Sequence, residues 1–174
     1  MFATLWWLAD YPHVIGISSE LRKEKSLKRF FYNIPLLLVR DNEKQVHIYF
    51  DVCPHKKAPL GCKKDEIYCS YHWWRFEYSW EIKNIPSSPH LEKKLKCKLH
   101  TIPVEEKYGL IWIFPNGKTT HKIPKIDQVM NESWKHVYRK KIFHTSDDLL
   151  IENFMDSTHT PIVHDGIVRN KKKK

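Results

Sequence analysis

Four side chains in two short runs are the part of this sequence best equipped for chemistry. They are Cys53-Pro54-His55 and Cys69-Ser70-Tyr71-His72, with thirteen residues between His55 and Cys69. Each run offers one thiolate and one imidazole at close range. Two such runs can hold an inorganic centre between two loops. A [2Fe–2S] cluster of mixed ligation takes this set, two Cys on one iron and two His on the other. The neutral imidazoles replace thiolate charge, so the cluster accepts an electron at a higher potential than an all-cysteine one. Structural zinc also takes Cys₂His₂ sets, so spacing alone leaves a zinc-stabilised binding module open. His55→Cys or His72→Cys is expected to lower the potential or destroy a cluster.

A second constellation follows: Asn153-x-x-Asp156-x-x-His159-x₄-His164. Asp156 and His159 are three apart and share a helix face. An undistorted helix splays His159 from His164 by about 140°. Pro161 lies between them and bends or breaks the helix, which brings both imidazoles to one point. Two His and a carboxylate form the facial triad of non-haem Fe(II) oxygenases. The plainer alternative is a pair of ordinary histidines on a helix surface.

The chain around these residues is 174 long, 41% hydrophobic and 13% aromatic. That is enough for one ordinary domain and the start of another. It has no run of eighteen apolar residues, so no transmembrane segment is expected. Met1–Leu8 lacks a basic n-region and a small-residue cleavage site, which makes it a poor signal peptide; Trp6 and Trp7 are expected to cover a core edge. The net charge of +10 invites a nucleic-acid reading. The lysines are scattered, however, and no stacking-aromatic motif accompanies them, so no nucleic-acid partner is expected. A basic face suits the steering of an acidic electron-donor protein instead. Lys171–Lys174 reads as a solvated tail.

Short strands must position the two loops. His13–Gly16 is a first strand, Ser18–Leu21 a turn and Leu36–Val39 a strongly apolar strand. Asp41–Lys44 is a hairpin turn by composition. Gln45–Phe50 returns and delivers the chain to the first loop. Glu66–Tyr68 leads into the second loop and Trp74–Tyr78 leads away. Thr101–Glu106 and Leu110–Phe114 form a final hairpin. This succession predicts a small antiparallel barrel or sandwich. Only five glycines serve it, so several turns must use Asn, Asp or Lys. From Lys118 to Lys125 the chain reads as a linker, Trp134–His144 as a strand, and Asp147–Val163 as an amphipathic helix with Leu149, Leu150, Phe154 and Met155 on one side.

Cys53-Pro54-His55-Lys56-Lys57-Ala58-Pro59-Leu60 and Cys69-Ser70-Tyr71-His72-Trp73-Trp74-Arg75-Phe76 resemble the two cluster loops of the Rieske family, and specifically of the Rieske non-haem iron oxygenases. Those loops usually read CPHRxAPL and CPYHGWRF. Ile102–Ile113 is similar to the family's exit hairpin. Glu152–His164 resembles its mononuclear-iron helix, ENxxDxxHxxxxH. Two departures stand out: Trp73 replaces the usual Gly after the second His, and the span between the loops is a few residues short, as if a turn near Gly61 were trimmed.

The resemblance implies a mainly β fold. A Rieske-type small antiparallel β-barrel or sandwich with two cluster-binding loops is followed by the start of an α+β catalytic domain. The boundaries are 1–117 for the [2Fe–2S] domain and 118–174 for the linker and the mononuclear-iron piece. By the same resemblance Cys53 and Cys69 bind one iron of a single Rieske [2Fe–2S] cluster, and His55 and His72 the outer iron. His159 and His164 bind a mononuclear Fe(II). Asp156 hydrogen-bonds a ligand His and bridges electrons from a cluster in a neighbouring subunit. Respiratory Rieske proteins carry an extra, disulfide-linked Cys in each loop. The second loop here has none, which argues against a respiratory subunit. Cys62 and Cys97 could in principle pair, but Fe–S clusters are usually assembled where thiols stay reduced, so both read as free thiols and the compartment as cytoplasmic.

The implied activity passes electrons from a reductase or ferredoxin through the cluster to the mononuclear iron. There O₂ is activated for hydroxylation or demethylation of an organic ring compound. The family's third iron ligand, an Asp or Glu, lies far downstream. The chain is therefore expected to be an oxygenase's N-terminal half, inactive alone or in need of a complementing catalytic polypeptide, with a homotrimer as the family's assembly. A stand-alone Rieske electron-transfer protein is the second reading.

Overall fold

β3 (Ile34–Arg40) is the strand around which the fold is organised. Its Leu36, Leu37, Leu38 and Val39 are all fully buried. Such a run, apolar at every position, marks a strand covered on both faces. Leu36 and Leu38 enter one core with Ile48, Ile102, Ile111 and Ile113. Leu37 and Val39 enter a second core with Tyr49, Cys53, Cys69 and Phe76. The alternation is the two-residue period of a strand read from both sides at once.

The chain was analysed as a computed structural model, which describes residues 9–23, 25–63, 66–117, 121–131 and 133–164. Trp6, Trp7, Asp165 and the terminal lysines lie outside the described residues. The other strands are β1 (His13–Ile17), β2 (Ser26–Phe31), β4 (Val46–Phe50), β5 (Leu60–Lys63), β6 (Glu66–Cys69), β7 (Arg75–Phe76), β8 (Ile82–Asn84), β9 (Val104–Lys107) and β10 (Leu110–Ile113). All pair antiparallel. They form three sheets, ordered β1-β10-β9, β2-β3-β4 and β5-β6-β7-β8. The middle sheet shares one core with each of the other two, so the domain is an antiparallel β sandwich, as its sequence pattern predicts.

Seven described non-glycine residues have positive φ: Tyr32, Asn33, Lys44, Lys57, Trp73, Trp80 and Tyr108. The scarcity of glycine is thus met as expected, by Asn and Lys, and also by aromatic residues in left-handed backbone. Tyr32-Asn33 closes the β2–β3 hairpin, with both central φ positive as a type I′ turn requires.

Gly61 is a strand residue, not a turn. It pairs with Tyr68 across β5 and β6, and a Cβ there would sit 2.8 Å from the Tyr68 ring. Gly61→Ala is therefore expected to destabilise the domain by about 1–3 kcal/mol through overpacking. Gly61→Ala with Tyr68→Ala should recover part of that loss in a denaturant titration, because the obstructing ring is gone.

Arg40 pins the first sheet to the middle one. Its guanidinium donates to both carboxylate oxygens of Glu106, each at 2.7 Å. It also donates to the carbonyls of Leu21 and Lys44. The Arg40 hydrogen bond holds the Glu106 carboxyl below the usual carboxylate range. A depressed folded-state pKa stabilises above the unfolded pKa and loses that contribution as pH falls through the folded value. The stability gap between parent and Glu106→Gln should therefore be full near neutral pH and narrow below about pH 4.3, the unfolded value. Denaturant midpoints at stepped pH check this, and a gap that widens on acidification contradicts it.

Contacts divide the chain into two units, 1–136 and 137–174. Among the described residues the second unit holds two helices and no strand. α1 (Asp127–Met130) precedes it; α2 (Asp147–Met155) and α3 (Thr160–Val163) belong to it. Trp134–His144 forms no strand, contrary to its pattern. Val137 and Ile142 are 80% and 74% exposed, and without a paired neighbour such a segment has nothing to fix it as a strand. The expected single helix over Asp147–Val163 is broken between Met155 and Thr160, for a reason given below.

Candidate metal centre

The two loops are built on one hydrogen-bond plan. In the first, the Lys57 amide donates to the Cys53 carbonyl (2.9 Å) and the Cys53 amide to the Ala58 carbonyl (2.8 Å). In the second, the Trp73 amide donates to the Cys69 carbonyl (2.8 Å) and the Cys69 amide to the Trp74 carbonyl (2.9 Å). Each loop puts its fifth residue in left-handed backbone, Lys57 at φ 59° and Trp73 at φ 58°. That is why the family pattern has glycine at the second of these positions. Trp73 adopts the same backbone with its ring stacked on Tyr68, centroids 5.8 Å apart.

Both cysteines point inward. Cys53 and Cys69 are buried in the core with Leu37, Tyr49, Leu60, Ile67, Trp74 and Phe76. Burial pushes the Cys53 thiol up, the His55 and Lys56 amides work against this, and the Cys69 thiol beside it adds to the rise. Two adjacent thiolates in an apolar wall need a cation between them. The two amides aimed at the sulfur suit a thiolate ligand.

Both imidazoles lie at the outer edge. Their centroids are 4.8 Å apart. His55 stacks on Trp74 at 4.7 Å with an interplanar angle of 8°. Burial, then the charges of His72 and Lys56, holds His55 below its usual range, which favours the neutral form a metal ligand needs. His72 Nδ1 is buried with no hydrogen-bond partner among the described residues. A buried ring nitrogen is normally satisfied. An atom left bare at the meeting point of the two loops fits a nitrogen meant for a metal.

The four donors therefore stand as two pairs, thiols inside and imidazoles outside. Among the described residues no three His, Cys, Asp or Glu side chains converge on one point. A tetrahedral zinc needs four donors around one ion; a diiron cluster asks two protein ligands of each iron. All four cysteines are free thiols.

Asp51, which sequence reasoning missed, anchors the first loop two residues before Cys53. It is 7% exposed. Its Oδ1 accepts from the Leu60 amide at 2.6 Å and its Oδ2 pairs with Lys28 Nζ at 2.8 Å. Its own amide donates to the Pro35 carbonyl. One carboxylate thus ties both ends of the loop to β2, and its amide ties them to β3.

In the second unit the Asp156 carboxylate ends α2. Oδ1 accepts from the Thr158 amide at 2.8 Å and from its hydroxyl, a local bond that competes with helix continuation. Asp156 and His159 consequently do not share a helix face, as their spacing predicted. They meet across the break, with His159 Nδ1 3.2 Å from Asp156 Oδ2. Thr158, and after it His159, holds the Asp156 carboxyl below its usual range. Pro161 starts α3 rather than bending α2, at a position where a missing amide costs nothing. The His159 and His164 rings come to 5.6 Å. With Glu152 and Asn153 they line an open cleft of about 520 Å³. No helix among the described residues is long and apolar enough to cross a membrane.

The sequence profile of the Rieske [2Fe–2S] domain matches residues 12–124. The chain belongs to the Rieske [2Fe–2S] domain family, and its relatives are Rieske oxygenases. It is 30% identical over 97% of its length to protochlorophyllide-dependent translocon component 52 of Arabidopsis thaliana chloroplasts, covering 33% of that protein. It is 29% identical over 95% of its length to the oxygenase subunit of vanillate O-demethylase from a Pseudomonas species, covering 46%. Among solved structures, dicamba monooxygenase bound to dicamba superposes with a TM-score of 0.73 at 25% identity, over 90% of this chain and 48% of that one. The chain spans a third to a half of the length of these relatives. The family's cofactor is one [2Fe–2S] cluster, and the oxygenases carry a mononuclear non-haem iron in their catalytic domain.

Proposed function

We propose that this chain is the electron-relay portion of a Rieske oxygenase. Cys53 and Cys69 would hold one iron of a [2Fe–2S] cluster and His55 and His72 the other; His159 and His164 would hold a mononuclear iron, and a reductase or ferredoxin would be the source of electrons. The observation that supports this is the buried His72 Nδ1 with no hydrogen-bond partner among the described residues, on a ring 4.8 Å from that of His55, in loops whose two cysteines are buried in one core. The cluster supplies reversible one-electron storage.

The chain's own residues do the rest. Asp51 and the paired backbone loops fix the ligands before any metal arrives, which limits reorganisation on electron transfer. Burial around the thiols excludes water. Trp74 covers one face of His55. In the second unit Asp156 accepts from His159 Nδ1, orienting that ring and leaving Nε2 for the iron. Asp156 is the candidate bridge for the electron between centres of adjacent subunits in a homotrimer. The residues 1–117 form the cluster domain, and 118–174 the linker and first part of the catalytic domain. Cys62 and Cys97, unpaired with each other, suit the cytoplasm, where thiols stay reduced.

The test uses the cluster-loaded chain titrated with Co(II) as a surrogate for Fe(II). One additional Co(II) should bind, and His159→Ala or His164→Ala should each weaken it at least about tenfold with the cluster spectrum unchanged. Equal binding by all three proteins rejects the second site. The self-contained sandwich of the first unit favours a second reading, a stand-alone electron carrier. On that reading, removing 147–174 leaves electron exchange with the donor intact, and no Co(II) binds at the His pair.

A further inference from the structure

The segment after β8 is strongly cationic. His90-Leu91-Glu92-Lys93-Lys94-Leu95-Lys96-Cys97-Lys98-Leu99 carries four lysines and one acid. Its backbone turns once, the Lys94 and Leu95 amides both donating to the Leu91 carbonyl (3.0 and 2.9 Å). The Leu99 amide then donates to the Trp80 carbonyl at 2.9 Å. The loop is therefore fixed at both ends. It has an inner and an outer side. Leu91 and Cys97 pack against the core that contains Cys53 and Cys69, and Leu99 is buried within it. Lys93, Lys94, Lys96 and Lys98 are exposed.

The loop's acid does not neutralise these lysines. Glu92 Oε1 accepts from Asn84 Nδ2 (2.9 Å) and from the Ile85 amide (2.8 Å). Nearby Lys83, by contrast, is paired with Glu66 at 3.1 Å and Glu77 at 3.5 Å. Among the described residues no carboxylate forms an ion pair with any of the four loop lysines. Beside them lies an open cleft of about 460 Å³ lined by Ile82, Leu95 and Cys97, by Lys93, Lys96 and Lys98, and by Glu81 and Glu92. Apolar residues beside lysines that no described carboxylate pairs with suit a protein surface that presents carboxylates around an apolar centre.

We infer that the 91–98 loop is the docking surface for an acidic electron-donor protein, which reduces the cluster. This rests on the cluster reading above. Leu91 and Cys97 of the loop pack against the same apolar core that holds the two cysteine ligands, and Leu99 lies within it. The donor's reduced centre loses one electron and the cluster gains it; no bond or proton need move.

The test compares two full-length, cluster-loaded variants of equal net charge. One reverses Lys93, Lys94, Lys96 and Lys98 to Glu; the other reverses Lys23, Lys25, Lys44 and Lys125 to Glu. A reduced, acidic plant-type [2Fe–2S] ferredoxin is the probe in stopped flow, and photoreduced neutral deazaflavin the charge-independent control. The loop variant should be reduced by ferredoxin at least about tenfold more slowly than the parent, with a flattened dependence on salt. The other variant should stay within about threefold, and deazaflavin should reduce all three alike. Equal slowing of both variants, slowing of neither, or failure of ferredoxin to reduce the parent overturns the docking assignment. Absence of a cluster from the parent overturns the reading beneath it instead.

Discussion

Cys69→Ala should abolish the [2Fe–2S] chromophore. The side chain lost is small and buried, so the metal-free protein is expected to lose only about 1 kcal/mol. The metal-loaded protein loses far more, because binding free energy at such a centre is also folding free energy. The informative comparison is therefore between the two states. Metal loading should raise the thermal midpoint of the parent and leave that of Cys69→Ala where it was, with iron near zero after purification. Cys62→Ala and Cys97→Ala, which remove thiols packed on the same core without belonging to the loops, should keep full iron. An iron content that falls equally in all three variants would show a general packing defect and remove the case for Cys69 as a ligand.

Asp51→Ala is expected to cause the largest loss of fold stability among the polar residues near the centre. Its carboxylate is the sole polar side chain among the described buried set. Removing it orphans the Leu60 amide it accepts from, at about 1–3 kcal/mol for a buried donor, and breaks the pair with Lys28. Lys28 is half exposed and regains water, which limits that second part. The total should be about 2–4 kcal/mol, a thermal midpoint lower by roughly 5–15 °C. Asp51→Asn keeps an acceptor for Leu60 and should cost less. The effect should reach the metal as well, since Asp51 holds both ends of the first loop; slower cluster loading in Asp51→Asn than in the parent checks this. Equal stability of Asp51→Ala and parent would contradict the loop-anchor account.

The ligand loops were legible because Cys and His at such spacing are rare without a metal to hold. β3 and β10 were legible because buried strands leave apolar runs, and β4 because Gln45–Phe50 alternates. Three strands gave no such trace. β2 reads Ser-Leu-Lys-Arg-Phe-Phe, with no alternation to follow. β5 reads Leu-Gly-Cys-Lys, and its glycine hides a strand until Tyr68 is seen lying over it. β8 contributes three residues, too few for any period to register, whereas β7 falls inside the strand expected over Trp74–Tyr78. Asp51 was missed because a lone Asp before a Cys carries no pattern; its importance comes from Lys28 and Leu60, distant in sequence.

The second unit misled in a different way. Trp134–His144 has the composition of a strand but no pairing partner among the described residues. Asp147–Val163 has helical spacing throughout, yet the side chain of Asp156 captures Thr158 and stops α2. That stop is what lets His159 reach Asp156 and His164 together. Local side-chain competition, which periodicity does not record, decided the geometry of the candidate iron site.

The most direct measurement is a metal, sulfide and EPR analysis of the anaerobically purified chain. Two irons and two sulfides per chain are expected, with a reduced-state spectrum showing nitrogen couplings from two imidazoles that vanish one at a time in His55→Cys and His72→Cys. A single zinc without sulfide, or an iron–sulfur signal free of nitrogen coupling, would contradict the assignment of these loops.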